Sequence, residues 1–125
     1  MRETITIPIS AAGGSDDVQY YRYGYADPAR IVAMRFMPAE TVAGHAANYW
    51  DLSIDVDSVE IASEQNTVAD LNGVTAGTAV DLASTTNPAS EELTDGSVIA
   101  VKKTEAGSMS IDGAVHIEID RYRTA

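Results

Sequence analysis

Cysteine is absent from the 125-residue chain, which excludes disulfides, thiolate metal ligands and cysteine nucleophiles together. Cations are scarce too. Eight Lys and Arg stand against nineteen Asp and Glu, a formal net charge of −11, and the sequence pI is near 4.3. Such a chain lacks the surplus cationic groups that release counterions from DNA or RNA, and anionic membrane surfaces repel it for the same reason. Neither nucleic acid nor membrane is therefore expected as a partner. The opening stretch, Met1-Arg2-Glu3-Thr4-Ile5, lacks the apolar run of a signal peptide. No segment approaches the ~18 apolar residues of a membrane span, and none keeps a helical apolar stripe. The expectation from these absences is a soluble acidic protein that folds in the cytosol that makes it.

What remains is enough for a core. The chain is 45% hydrophobic and 22% charged, which argues against wholesale disorder, and its length suits one domain. Its dominant period is two. Ile5, Ile7 and Ile9 alternate with Thr4, Thr6 and Pro8 in a strand that Pro8 confines to a sheet edge. Small and polar residues at 11–17 follow, so residues 1–17 are either an arm with its linker or an ordinary first strand and loop. The expected organisation is an N-terminal arm and linker over 1–17 and a β-sandwich domain over 18–125.

Residues 18–25 place Gln19, Tyr21, Tyr23 and Tyr25 on one face and Val18, Tyr20, Arg22 and Gly24 on the other. Residues 31–37 are apolar on both faces except at Arg35, as in a strand covered by its own core and by a partner. The clearest strand is 49–56, with Trp50, Leu52, Ile54 and Val56 facing the core. Val59 and Ile61 continue it after Asp57-Ser58. Weaker strands are expected at 68–71 and 78–82, a turn at 85–88 and one helical turn at 90–93. Asp95-Gly96 and Asp112-Gly113 read as turns before strands at 98–103 and 115–122. In the last strand Val115, Ile117 and Ile119 point inward. Asp51, Asp55, Glu118 and Asp120 take the opposite parity and read as a solvated outer surface. The expected fold is all-β: a single antiparallel β-sandwich, jelly-roll or Ig-like, of about eight or nine short strands.

Catalytic chemistry needs a nucleophile, base or metal held beside an orienting partner. His45 lies in a Gly/Ala loop and His116 on the outward parity of the last strand, too isolated for a zinc site of three or four ligands. Asp51, Asp55 and Asp57 fall in line, but a solvated acidic face explains them better than Ca²⁺ does. Asp70-Leu71-Asn72-Gly73 lacks the acids that continue a calcium loop. No phosphate loop, nucleophile elbow or zinc-protease helix is present. The expectation is a non-enzyme with no catalytic residues, no metal and no cofactor.

Tyr20, Tyr21, Tyr23 and Tyr25 are the one remaining concentration of residues, four of the chain's six tyrosines. Tyrosine joins apolar area to a hydrogen-bonding tip and is enriched at interfaces. Tyr21, Tyr23 and Tyr25 share their parity with polar Gln19, which favours a partner surface over an internal aromatic ladder. The expected interface set is Ile5, Ile7, Ile9, Tyr21, Tyr23, Tyr25 and Phe36. The expected core set is Trp50, Leu52, Ile54, Val56, Val115, Ile117 and Ile119.

A resemblance extends this reading. Arg30-Ile31-Val32-Ala33-Met34-Arg35-Phe36-Met37-Pro38 leads through an alanine-rich loop to Asn48-Tyr49-Trp50-Asp51-Leu52-Ser53-Ile54. Leu93-Thr94-Asp95-Gly96-Ser97-Val98-Ile99-Ala100-Val101-Lys102-Lys103 and Val115-His116-Ile117-Glu118-Ile119 follow. This order over about three quarters of the chain resembles small tailed-bacteriophage virion proteins of the capsid decoration, or head cement, kind. One departure is Asp95-Gly96, where that group has glycine before the acid. The resemblance implies a β-sandwich on the outer capsid surface of a virion, as a trimer bound to the major capsid protein, and it brings no catalytic residues. The alternatives are another virion component, such as a tail or head fibre, or a carbohydrate-binding adhesion module using the tyrosines.

Overall fold

Alternating apolar residues build two antiparallel sheets that bury their apolar faces against each other. A computed structural model of the chain describes residues 1–9, 17–67, 71–82, 92–106 and 112–122. In the first sheet β11 (Gly113–Arg121) lies between β1 (Arg2–Ile9) and β3 (Ala29–Pro38). The short β8 (Val80–Asp81) and β9 (Glu92–Leu93) line the far edge of β3. The second sheet runs β2 (Asp17–Arg22), β10 (Val98–Ala106), β5 (Tyr49–Val56), β6 (Val59–Gln65). A two-strand ribbon joins β4 (Val42–Ala43) to β7 (Gly73–Val74). The protein is thus an all-β antiparallel sandwich, with eleven strands among the described residues.

Trp50, Leu52, Ile54 and Val56 on β5 face Val115, Ile117 and Ile119 on β11, all buried. Phe36 from the first sheet meets Trp50 from the second edge-on, with ring centroids 5.4 Å apart. That contact ties the two sheets together at the centre of the core.

Several local expectations change. Arg2–Ile9 pairs with β11 along its whole length, and Ile5, Ile7 and Ile9 are buried in the common core. Of the two readings of this segment, the strand is the one observed; residues 10–16 of the linker lie outside the described residues. Glu92–Leu93, expected in a helical turn, forms β9 because it pairs with Arg30 and Ala29 at the edge of β3. The 78–82 strand shrinks to Val80–Asp81. The 68–71 strand lies mostly at 68–70, outside the described residues, as do the 85–88 turn and residues 90–91.

The two-faced apolar character of β3 has a local cause. Its register with β11 pairs Ala33 with Glu118 but Ile31 with Ile119, so Val32 is an extra residue in a β-bulge. Facing parity slips by one there. Ile31, Met34 and Phe36 all turn inward, and Val32 stays 40% exposed. Phe36, expected at an interface, is instead wholly buried.

Gly113, read as a turn residue, opens β11 and pairs with both Ile9 and Pro38. A Cβ there would lie 2.3 Å from the Met37 carbonyl oxygen and 2.7 Å from Phe36 Cε1. Gly113→Ala is therefore expected to destabilise the fold by about 1–3 kcal/mol through overpacking. Thermal melts check this, and an unchanged melting temperature would show that β3 can withdraw.

Candidate functional site

The tyrosine segment is set by the strand beside it. β10 pairs Ile99 with Tyr21, Val101 with Gln19 and Ala100 with Tyr20. Ile99 and Val101 are buried, so Tyr21 and Gln19 turn inward with them, while Tyr20 (71% exposed) and Val18 turn out. Gln19 satisfies its amide by donating to Asp17 Oδ1 at 3.0 Å. Tyr23 is wholly buried and donates its hydroxyl to the Asp27 carbonyl at 2.5 Å. Its ring packs on Tyr25 at 5.4 Å, and the Arg121 guanidinium lies 4.1 Å over the Tyr25 ring while also pairing with Glu3. Burial pushes the Tyr21 and Tyr23 phenols above their ordinary range. Tyr21, Tyr23 and Tyr25, expected on a partner surface, thus fasten β1, β2 and β11 at one end of the sandwich. Tyr23 is internal and Tyr21 partly so, while Tyr25 stays 43% exposed as expected.

Neither histidine faces a constellation. His45 Nδ1 accepts from the backbone amides of Ala47 (3.1 Å) and Asn48 (2.9 Å), which closes its own loop. His116 Nδ1 lies 3.2 Å from Thr6 Oγ1 on the neighbouring strand. Among the described residues no group of three or more His, Asp or Glu is placed to hold a metal ion.

The outward acids are paired. On the first sheet Arg35 bridges Asp81 (3.1 Å) and Glu118 (3.3 Å), Arg2 approaches Glu118 at 3.6 Å, and Arg30 holds Glu92 at 2.8 Å. Tyr122 donates its hydroxyl to the other oxygen of Glu92. Among these charges lies a shallow cavity of about 400 Å³ lined by Arg30, Val32, Asp120 and Tyr122. Val32 and Tyr122 are its exposed apolar centre, 40% and 42% accessible. The sequence concealed it, because the parity slip that turns Val32 outward needs the register with β11.

The Tyr122 hydrogen bond, followed by the Arg30 contacts, holds the Glu92 carboxyl below its ordinary 4.5 against the opposing effect of burial. A carboxyl depressed on folding stabilises above its unfolded pKa, and that contribution is lost as pH falls through the folded value. Glu92→Gln should therefore lower the melting temperature at pH 7, and its curve should converge on wild type as pH drops below about 4.5. Melts from pH 7 to 3 check the sign, and parallel curves would contradict it.

The second sheet has a different outer face. Asp55, expected in solvent, is only 7% exposed, and the Lys102 ammonium donates to its Oδ2 at 2.6 Å. That hydrogen bond, and then the Asp55 charge, hold Lys102 above its ordinary range. Around this pair Tyr20, Asp55, Asp57, Ser58, Ala100 and Lys102 line a depression of about 490 Å³. Asp57 and Ser58 form the β5–β6 turn with φ of 49° and 69°, a left-handed pair that suits the twist of a hairpin. Asp57 is held there by its Oδ1, which accepts from the Val98 amide at 2.9 Å. Tyr20 was legible as a tyrosine but not as the exposed one, since its facing follows from Ile99 on another strand.

No protein-family model matches the chain, and no curated protein matches it in sequence. Among solved structures it is similar to a chain in the structure of infectious bursal disease virus, Gx strain. That likeness has 17% identity and a TM-score of 0.41, and it covers 94% of this chain and 32% of that one. The chain thus spans about a third of the length of the chain it matches.

Proposed function

We propose that this chain is a virion structural protein, a decoration or cement protein that binds the outer head surface of a tailed bacteriophage and stabilises its capsid lattice. In this reading it binds the major capsid protein and assembles as a trimer of its own copies. The observation that carries the reading is the outer face of the first sheet, where exposed Val32 and Tyr122 sit inside a rim of charges ordered by mutual pairing. An apolar centre with a polar rim is the anatomy of a protein–protein contact. Rim charges already held by one another also lose little side-chain freedom on docking. Ile5, Ile7, Ile9 and Tyr23 are buried within the chain, so in this reading the capsid contact falls to this face instead. The resemblance of the strand order to head cement proteins supports the same assignment.

Adding purified protein to heads that lack it tests the proposal. Wild type should occupy the heads in copy number comparable to the major capsid protein, read by mass spectrometry of the particles. Val32→Asp, which places a charge at the apolar centre without touching the core, should lower occupancy at least about ten-fold. Equal occupancy of the variant would remove this face from the contact. A copy number far below that of the capsid protein would move the protein to a tail or fibre position. Light scattering of the free protein and of released copies reads the trimer.

A further inference from the structure

We propose that the depression on the outer face of the second sheet is a saccharide-binding site, with Tyr20 as the stacking platform and the Asp55–Lys102 pair as its hydrogen-bonding pole. The proposal uses the opposite side of the sandwich from the head-binding face and does not depend on that reading.

The strand ladder builds the shape. Tyr20 stands opposite Ala100, and Ala100 opposite Asp55. With strands about 4.8 Å apart, Tyr20 and Asp55 stand about 10 Å apart across Ala100, whose small side chain lies 7% exposed at the bottom of the depression. The Asp57–Ser58 turn closes one end, with a hydroxyl at the rim. Tyr20 is 71% exposed, so its ring is open to the apolar C–H face of a sugar.

The polar pole is specific in its chemistry. Asp55 has a side chain about nine-tenths buried, and its Oδ2 is held by Lys102 at 2.6 Å. The accessible remainder of its carboxylate can only accept hydrogen bonds. Lys102, 42% exposed, keeps further N–H donors directed outward beside it. An acceptor and a donor side by side match two neighbouring hydroxyls of a sugar, one giving its proton to Asp55 and the next accepting from Lys102.

The lining carries two carboxylates, Asp55 and Asp57, against the single Lys102 ammonium, so an anion is repelled and a cationic side chain is the remaining competitor of a neutral polyol.

The test is an NMR titration of the ¹⁵N-labelled full chain with the methyl glycosides of glucose, mannose, galactose and N-acetylglucosamine at millimolar concentrations. At least one sugar should shift the amides of Tyr20, Asp55, Ser58, Ala100 and Lys102 in a saturable way, leaving the Val32–Tyr122 face unmoved. Tyr20→Ala should weaken that binding at least about ten-fold with an unchanged melting temperature, because the ring is exposed. Lys102→Met should weaken it as well, while retaining the stem that covers Asp55. Absence of shifts with all four sugars overturns the proposal, as does binding that survives Tyr20→Ala. Saturable shifts with arginine ethyl ester and none with sugars would also overturn it, making the depression a pocket for a cationic side chain of a protein partner. Since head occupancy is read separately with Val32→Asp, failure of either proposal leaves the other standing.

Discussion

Lys103→Ala is expected to destabilise the fold by about 3–5 kcal/mol, whereas Lys103→Met with Glu105→Leu should be neutral or stabilising. Lys103 and Glu105 lie two residues apart on β10, on the parity of Ile99 and Val101, and their side chains are wholly inaccessible. The ammonium lies 2.9 Å from Glu105 Oε1. Bringing both charges out of water costs several kcal/mol per ion, and their attraction in the low-dielectric interior returns about as much. Removing one charge loses the attraction and keeps the other ion's desolvation cost. Removing both loses both. Against a domain stability of about 5–15 kcal/mol, the single variant should bring the protein close to its unfolding limit. Urea denaturation followed by Trp50 fluorescence measures all three proteins. A double variant as unstable as Lys103→Ala would mean the pair contributes more than its own desolvation, by fixing the register of β10.

The second large effect is expected at Trp50. Trp50→Ala should cost about 3–5 kcal/mol, because it empties the contact with Phe36 that joins the sheets. Trp50→Phe should cost less than half as much. The indole Nε1 is buried and has no hydrogen-bond acceptor among the described residues. Burying a donor without an acceptor costs about 1–3 kcal/mol, and the phenyl ring removes that donor while keeping most of the apolar contact. Both variants remove the only tryptophan, so far-UV circular dichroism melts are the measurement. Equal costs for the two variants would show that Nε1 does bind a partner, such as an enclosed water.

Strands with one buried face were readable from the sequence. β5 and β11 alternate cleanly, and each residue expected to face the core from them does so. β1 was readable as a strand, but its neighbour was not, because Ile5, Ile7 and Ile9 fit another chain's sheet as well as their own. β2 was readable as a strand with the wrong face inward. Gln19 suggested solvent, yet its amide is satisfied by Asp17 at the strand end, so its parity could turn inward without cost. Phe36 was misplaced for a related reason, since one bulged residue at Val32 reverses the facing of everything after it.

The candidate sites were less legible than the fold. Tyr20, Asp55 and Lys102 lie far apart in sequence on three strands, and only pairing places Tyr20 and Asp55 in one row across Ala100, with Lys102 two residues further along β10. Asp55 reads as one more surface acid in a chain of net charge −11. Its burial goes with its pairing to Lys102 on the neighbouring strand.

By itself the sequence determined an all-β architecture, a core on the Trp50 and Val115 strands, and a net charge of −11. Those properties depend on composition and on a period of two along each strand, which are local. Which face of an ambiguous strand turns inward, where Val32 bulges and which charges meet were decided by tertiary structure alone. The physical reason is that one-residue register shifts invert a strand's two faces, and register is set by pairing between residues distant in the chain.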